Sequence, residues 1–436
     1  MSDYTLLVEN AYVDPLDRVV DVAVADDVIA RVGDVEGTAD RTIDAEGNLV
    51  APGFVDCHLH VDKAFGACGH RRPRGHDDPF SFERIAELEA EYFEEASVED
   101  VERNAIRDIE MAVAAGSTFV RTHVGGNNEN LLKRVGAVVR ARERTADIAD
   151  VQLVVSGGDI STDEKEERLR EAIEMAQEGG TLEDPVLVGG SDPATRHNDV
   201  EGSLTAWFEI ASEYDLGIDL HVHDGGTLGI YTLDRMVAYT DRYDYGGRVT
   251  ASHCYCLSNV PEWWQEQMAE KLSDAGVSVV TCYQSTRPTM PVRELLAGGV
   301  DLAHGTDNDR DFVFPHGNAD SLEAALVLSN KLHGDRAFVE DYRWYDTTEG
   351  FGALWDLISS NGASLLGIEG RYGVREGTPA DLVVFDSPSP QWAIVTGAER
   401  THVIKDGAVV AEGGELTPEH TVVEGYDDVL EPPIRD

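Results

Sequence analysis

Three textures of apolar and polar positions follow one another along the chain. Residues 4 to about 50 read as short strands (TLLVENAYV, VVDVAVADDVIARVGD, RTIDAEGNLVAPG), because β-branched and polar residues alternate and Gly, Asp and Asn punctuate them. The middle alternates short apolar runs with amphipathic stretches, the pattern of a βα repeat. Its strand candidates are 54–60, 118–124, 151–156, 185–190, 217–223, 248–253, 277–283 and 300–306. Between them SVEDVERNAIRDIEMAVAAG and STDEKEERLREAIEMAQEGG carry helical periodicity, the second with a glycine stop. Towards the C-terminus, YGVREGTPADLVVFDS and WAIVTGAERTHVIKDGAVVAEGGE return to the texture of the first segment. Neither end is long enough to close a good sheet alone. The pattern predicts an α/β fold: a (β/α)₈ barrel over residues 53–366, with a small β-sandwich built from both termini, 1–52 and 367–436.

In such a barrel, active sites lie at the C-terminal ends of the strands, so the polar residues there are the informative ones. The first strand ends in His58-Leu-His60, a period-2 spacing that points both imidazoles the same way. The fifth offers His221, with His223 and Asp224 just beyond; the sixth ends at His253, and the eighth runs into Asp307 and Asn308. Three imidazoles and a carboxylate converging on one point make a site for a divalent transition metal with a position left open for water. A lone strand histidine is usually a hydrogen-bonded core or surface residue; several in barrel register are not explained that way.

Composition narrows the partners. With 83 Asp+Glu against 35 Lys+Arg, the formal net charge is -48, which excludes nucleic acid and anionic membrane surfaces as partners. The 42% of hydrophobic residues is spread along the whole chain, so a core is available despite that charge. Only six of the basic residues are lysine, and excess carboxylate with little lysine resembles proteins from a salt-loaded cytoplasm. At about 1 M salt the Debye length falls to about 3 Å and surface repulsion is weak. No signal-peptide pattern or long apolar run is present, so a cytoplasmic, soluble protein is expected, with a homo-oligomer open. Five cysteines in a chain of this length do not make a disulfide scaffold.

The segments APGFVDCHLHVDK, HVHD, RVTASH and HGTDN resemble the signature segments of the amidohydrolase superfamily, nearest its cytosine-deaminase-like branch. The resemblance covers nearly the whole chain, including the C-terminal NGASLLGI and YGVREGTPADLVVFD. It implies that His58, His60, His221 and Asp307 hold one metal, zinc or iron, and that the reaction is hydrolytic deamination of an amino-substituted N-heterocycle. Asp307 would also accept the water proton, His253 would orient the hydroxide, and Asp224 stands where the family carries its proton-shuttling Glu. The fourth strand has no lysine, which leaves no candidate for a carboxylated lysine bridging two metals.

Two departures bear on the substrate. Asp224 is one methylene shorter than Glu, and the loop after the third strand reads Ser156-Gly157-Gly158-Asp159 where a substrate-reading Gln is expected; Gln152 lies near the start of that strand. Cytosine itself is therefore doubtful, and small glycines leave room for a larger ring such as a pterin or purine-like heterocycle. Lys63, His123, Asp159, Asn308 and Phe314 are the substrate-contact candidates, with Lys63 equally able to anchor a loop through an ion pair. Phe312 and His316 could extend an aromatic wall. Arg121 reads as either pocket or barrel wall, Cys254 and Cys256 as packing under a loop, and Trp263-Trp264 as helix or interface packing. The alternatives left open are a C–N hydrolase of a cyclic amide or N-alkyl-aminotriazine and, further off, a catalytically dead binding protein on the same scaffold.

Overall fold

The structure is a computed structural model, and it describes residues 2–66, 82–282, 290–314, 316–336 and 347–423. Cys68, one of the five cysteines, and Tyr283, the last residue of the 277–283 run, lie outside the described residues. Strands β1 (Tyr4–Val13), β2 (Arg18–Ala25), β3 (Val28–Gly33), β4 (Ala39–Asp44) and β5 (Val50–Pro52) open the chain. The barrel strands are β6 (Phe54–Leu59), β7 (Ser117–Gly125), β8 (Asp150–Ser156), β9 (Val186–Ser191), β10 (Gly217–His221), β11 (Val249–Ser252), β12 (Val277–Cys282) and β13 (Leu302–Gly305). Strands β14 (Leu382–Phe385), β15 (Arg400–Lys405), β16 (Ala408–Glu412) and β17 (Glu415–Leu416) close it.

The eight middle strands pair in sequence order from β6 to β13, all parallel, with helices between them. The ring closes between its first and last strands: a parallel bridge joins Leu59 to Asp307, and the Asp307 N–H donates to the His58 carbonyl at 2.7 Å. Gly305 permits this approach, since a Cβ there would stand 2.4 Å from His58 Cβ. The helices begin where their caps predict. Ser97 and Asp100 form a reciprocal capping box before Val98–Ala114, and Thr162 caps Asp163–Gln177.

Both chain ends supply the remaining sheets. One is four-stranded, β3-β2-β1-β4; the other is five-stranded, β17-β16-β15-β14-β5, so β5 from the N-terminal segment pairs with β14 from the C-terminal one. Leu6, Val8, Val22, Ile43, Leu382 and Ile404 share one apolar core between them. One run departs from strand texture: Trp392–Val395 lies in the helix Pro390–Thr396, started by Ser389 with Pro390 in the first turn and stopped by left-handed Gly397. Terminal punctuation overrides β propensity there.

At the strand-start end of the barrel, the joint with the terminal sheets carries buried charge. Lys405 Nζ lies 3.2 Å from both Asp381 oxygens, 3.3 Å from Asp150 and 2.9 Å from Asp406, and Arg371 donates to Asp150 at 2.7 Å.

Candidate active site

The opposite end of the barrel gathers imidazoles. His58 and His60 come from the end of β6, His123 from β7, His221 and His223 from the end of β10, and His253 follows β11. His253 and Asp307 both leave their strands with positive φ, +70° and +72°, an uncommon conformation for such residues that turns each side chain inward as its strand ends. The His58 ring centroid is 3.9 Å from that of His123 and 4.7 Å from those of His221 and His253. His60 Nε2 is 3.5 Å from Asp307 Oδ1 and 3.3 Å from His221 Nε2, and His58 Nε2 is 3.7 Å from the same Asp307 oxygen.

Burial first, and then the neighbouring positive charge, hold the imidazoles of His58, His60, His123, His221 and His253 well below their ordinary range. They are therefore neutral at pH 7, the state in which imidazole binds metal. Burial pushes the Asp307 carboxyl up to about 7, with Lys63 pulling against it. His58 Nε2, His253 Nε2 and both ring nitrogens of His123 are buried with no hydrogen-bond partner among the described residues. Buried polar atoms are rarely left so, and a convergent set of them is what a divalent transition metal and its ligands would satisfy. Ligand atoms of His58, His60 and Asp307 lie within 4.8 Å of one another, as do those of His58, His123 and His221. The donors fit such a metal.

The cluster floors a cavity of about 500 Å³ whose lining includes His60, His123, His221, His223, Tyr255, Asp307 and Asn308, with Ile85, Ala86, Val124, Val313 and Phe314 as its apolar wall. His223 faces this cavity from in front of Asp192, and its Nδ1 lies 2.6 Å from Asp192 Oδ2. Burial would raise the Asp192 carboxyl, but His223 and Arg196 outweigh it and hold it far below the carboxylate range. An ionised Asp192 can only accept, so the His223 ring carries its proton on Nδ1.

Asp224 is not among the cavity-lining residues. Its Oδ1 accepts from Thr195 Oγ at 2.7 Å, and its backbone N–H donates to Asp192 at 3.2 Å. Asp159 sits outside as well, in a side chamber of about 250 Å³, paired with Lys165, which draws its carboxyl down to about 2. Lys63 lines the cavity and also bridges Glu89 at 3.5 Å and Asp311 at 3.4 Å. Asn308 Nδ2 donates to Asp307 Oδ1 at 2.5 Å. Phe312 is buried against Tyr92, whereas Phe314 reaches the cavity with His316 packed on its ring.

Arg121 and Gln152 point into the barrel interior, bonded to each other at 2.7 Å. Cys254 and Cys256 are buried and bonded to backbone carbonyls; burial drives both thiols up, Cys256 to about 12. Trp263 and Trp264 stack at 5.6 Å, with Trp263 largely exposed. Asp192, Tyr255 and Ser252 were missed in the sequence. Asp192 had one faint signal: it follows β9 immediately, the strand end where no metal ligand stood out.

The amidohydrolase family model matches residues 88–425. The chain belongs to the amidohydrolase family. Along 94% of its length it is 40% identical to the N-isopropylammelide isopropyl amidohydrolase of Pseudomonas sp. (strain ADP), covering 98% of that protein. Among solved structures it resembles N-isopropylammelide isopropylaminohydrolase from Burkholderia multivorans, with a TM-score of 0.82 and 26% identity over 95% of this chain and 100% of that one. A 5-methylcytosine deaminase from Klebsiella pneumoniae, at 23% identity and a TM-score of 0.79 over 93% of this chain and 97% of the other, shares the fold. As a member of this family the protein is a metal-dependent hydrolase of C–N bonds other than peptide bonds. Among the described residues, no helix is long and apolar enough to cross a membrane.

Proposed function

We propose that this amidohydrolase cleaves the bond between a ring carbon of an N-heterocycle and its exocyclic amino substituent, leaving a ring carbonyl. His58, His60, His221 and Asp307 would hold one divalent transition metal, zinc or iron. Such an ion, when bound, makes a water molecule acidic enough to ionise near neutral pH. The remaining work belongs to side chains of this chain.

Asp307, held by Asn308, would take the proton of the attacking water. His253 is oriented by Tyr255, whose hydroxyl lies 3.2 Å from Nδ1, and that leaves Nε2 to meet charge developing at the attacked carbon. His223, fixed through Nδ1 by Asp192, presents Nε2 to the cavity, where it can pass a proton to the ring nitrogen and the departing amine. The observation that carries this reading is His223, backed by Asp192, lining the same cavity as the metal donors, while Asp224 lies off that lining with Oδ1 accepting from Thr195. Proton shuttling is therefore assigned to His223 rather than Asp224.

Two leaving groups suit the site, ammonia and an alkylamine. The wall of Ile85, Ala86, Val124, Val313 and Phe314 favours the second, since it offers an N-alkyl substituent an apolar surface, and the Pseudomonas relative is named an N-isopropylammelide isopropyl amidohydrolase. The acidic surface, with its net charge of -48, sets the assay in molar salt. The test incubates the metal-loaded enzyme with amino- and alkylamino-substituted triazines, pyrimidines and pterins and quantifies ammonia and alkylamine separately. Release of either amine with formation of a ring carbonyl is the expected result. Ring opening of a lactam with no amine released from any substrate contradicts it.

A further inference from the structure

Beneath the histidines the barrel interior holds polar side chains where branched apolar ones usually fill the layer. Arg121 on β7 and Gln152 on β8 are register partners, as are Asp219 on β10 and Thr250 on β11. Arg121 donates Nε to Gln152 at 2.7 Å, and Nη1 to Asp219 Oδ2 at 3.1 Å and to Thr250 at 3.3 Å; Gln152 in turn donates to the Asp184 carbonyl at 2.6 Å. Above this layer Ser252 Oγ donates to Asp219 Oδ1 at 2.7 Å, and Ser252 Oγ also lies 3.1 Å from His58 Nδ1. Asp219, Ser252 and His58 are fully buried, and Arg121 nearly so. Burying an Arg–Asp pair costs desolvation that is often not recovered in stability, so its presence here asks for another role.

We propose that Asp219, acting through Ser252, sets the tautomer of His58 and so determines the affinity of the metal site; the proposal rests on His58 being a metal ligand. The chain of hydrogen bonds has one direction. Arg121 is permanently charged and donates to Asp219 Oδ2, while Asp219 Oδ1 accepts the Ser252 proton. Ser252 has a single proton, and it is committed to Asp219. The Ser252 oxygen is then left only to accept from His58, so the His58 proton sits on Nδ1. The lone pair is thereby placed on Nε2, the buried atom that has no hydrogen-bond partner among the described residues and faces Asp307. An uncharged acceptor at position 219 removes that direction. Ser252 is then able to turn its proton to Nδ1, moving the imidazole proton to Nε2 and blocking ligation. Asp219, Ser252 and Arg121 are positioning residues: none reaches the cavity.

The test measures zinc affinity of the apoprotein by competition with a chromophoric chelator in molar salt, for wild type, Asp219→Asn, Ser252→Ala and Ser252→Thr. Loss of tenfold or more in Asp219→Asn and Ser252→Ala, with Ser252→Thr recovering part of it, is expected; outer partners of metal-bound histidines are worth about 10–100-fold. Folding is controlled by the apo Tm, and the shift of Tm on adding zinc should shrink in the two deficient variants. Folded variants that bind zinc within tenfold of wild type overturn the proposal. A wild type that binds no zinc, iron or other divalent metal instead overturns the metal-site reading beneath it. Where a variant fails to fold, histidine-selective ¹⁵N NMR of the wild-type apoprotein decides: the Nδ1–H tautomer at His58 is expected, and the Nε2–H tautomer contradicts the proposal.

Discussion

The two ends of this barrel treat buried charge in opposite ways. At the strand-start end, Lys405 is enclosed by Asp150, Asp381 and Asp406, with Arg371 completing the set, so each buried charge there meets an opposite one. At the strand-end mouth, neutral imidazoles face one another and Asp307, and several of their nitrogens have no hydrogen-bond partner among the described residues. The first arrangement is finished and can only hold the barrel to the terminal sheets. The second is unfinished without an ion, which is why it can do chemistry. Burial is common to both; partner geometry decides whether it makes a clamp or a site.

The sharpest way to break the comparison is to remove one charge at each end. Asp307→Ala takes away the carboxylate facing His58 and His60, and turnover should fall to background with metal content dropping well below one equivalent, measured by elemental analysis. Lys405→Met at the base should leave metal content and kcat/KM unchanged. It should cost about 3–5 kcal/mol in denaturant unfolding, because Asp381 keeps a buried charge without the cation that faced it, while Asp150 retains only Arg371. Equal loss of activity from both variants would show the ends are not separate.

Proton linkage gives a smaller and more graded effect, confined to the mouth. With the Asp307 carboxyl at about 7 in the apoprotein and ionised when it ligates, metal binding displaces its proton at any lower pH. Burial holds the site imidazoles well below their ordinary range, so the first proton that metal binding must displace as pH falls below 7 is that of Asp307. Affinity should therefore rise about tenfold per pH unit as pH increases towards 7 and flatten above it; a flat profile from pH 5.5 to 8 contradicts the assignment. The smallest change is expected from Asp159→Asn. Its ion pair with Lys165 is largely exposed, so stability should move by less than about 1 kcal/mol and turnover by less than about threefold.

The barrel was legible because its strands are short apolar runs flanked by clear helix caps. The run at 54–60 is strand from Phe54 to Leu59, and that at 277–283 is strand from Val277 to Cys282. His58, His60, His221 and Asp307 were legible for the same reason, as each stands at a strand end, and the structure brings all four together. What periodicity does not carry is which neighbours the ring's closure puts behind each side chain. Asp224 and His223 are adjacent in sequence, yet Asp192, 32 and 31 residues earlier, bonds the backbone of one and fixes the ring of the other. Asp159 reads as a pocket residue by position, but its loop turns it to Lys165. The Trp392–Val395 run reads as strand by composition and folds as helix by its caps.

One measurement bears most directly on the division of labour at the mouth. Metal content and amine release are compared for His223→Ala and Asp224→Ala, both folded and assayed in molar salt on the best substrate of the panel. The expected result is that both variants retain one equivalent of metal, that His223→Ala loses turnover by about 10²–10⁴-fold, and that Asp224→Ala stays within about tenfold of wild type. A His223→Ala enzyme that turns over normally, with the loss appearing in Asp224→Ala instead, would contradict the assignment of the proton shuttle to the His223–Asp192 pair.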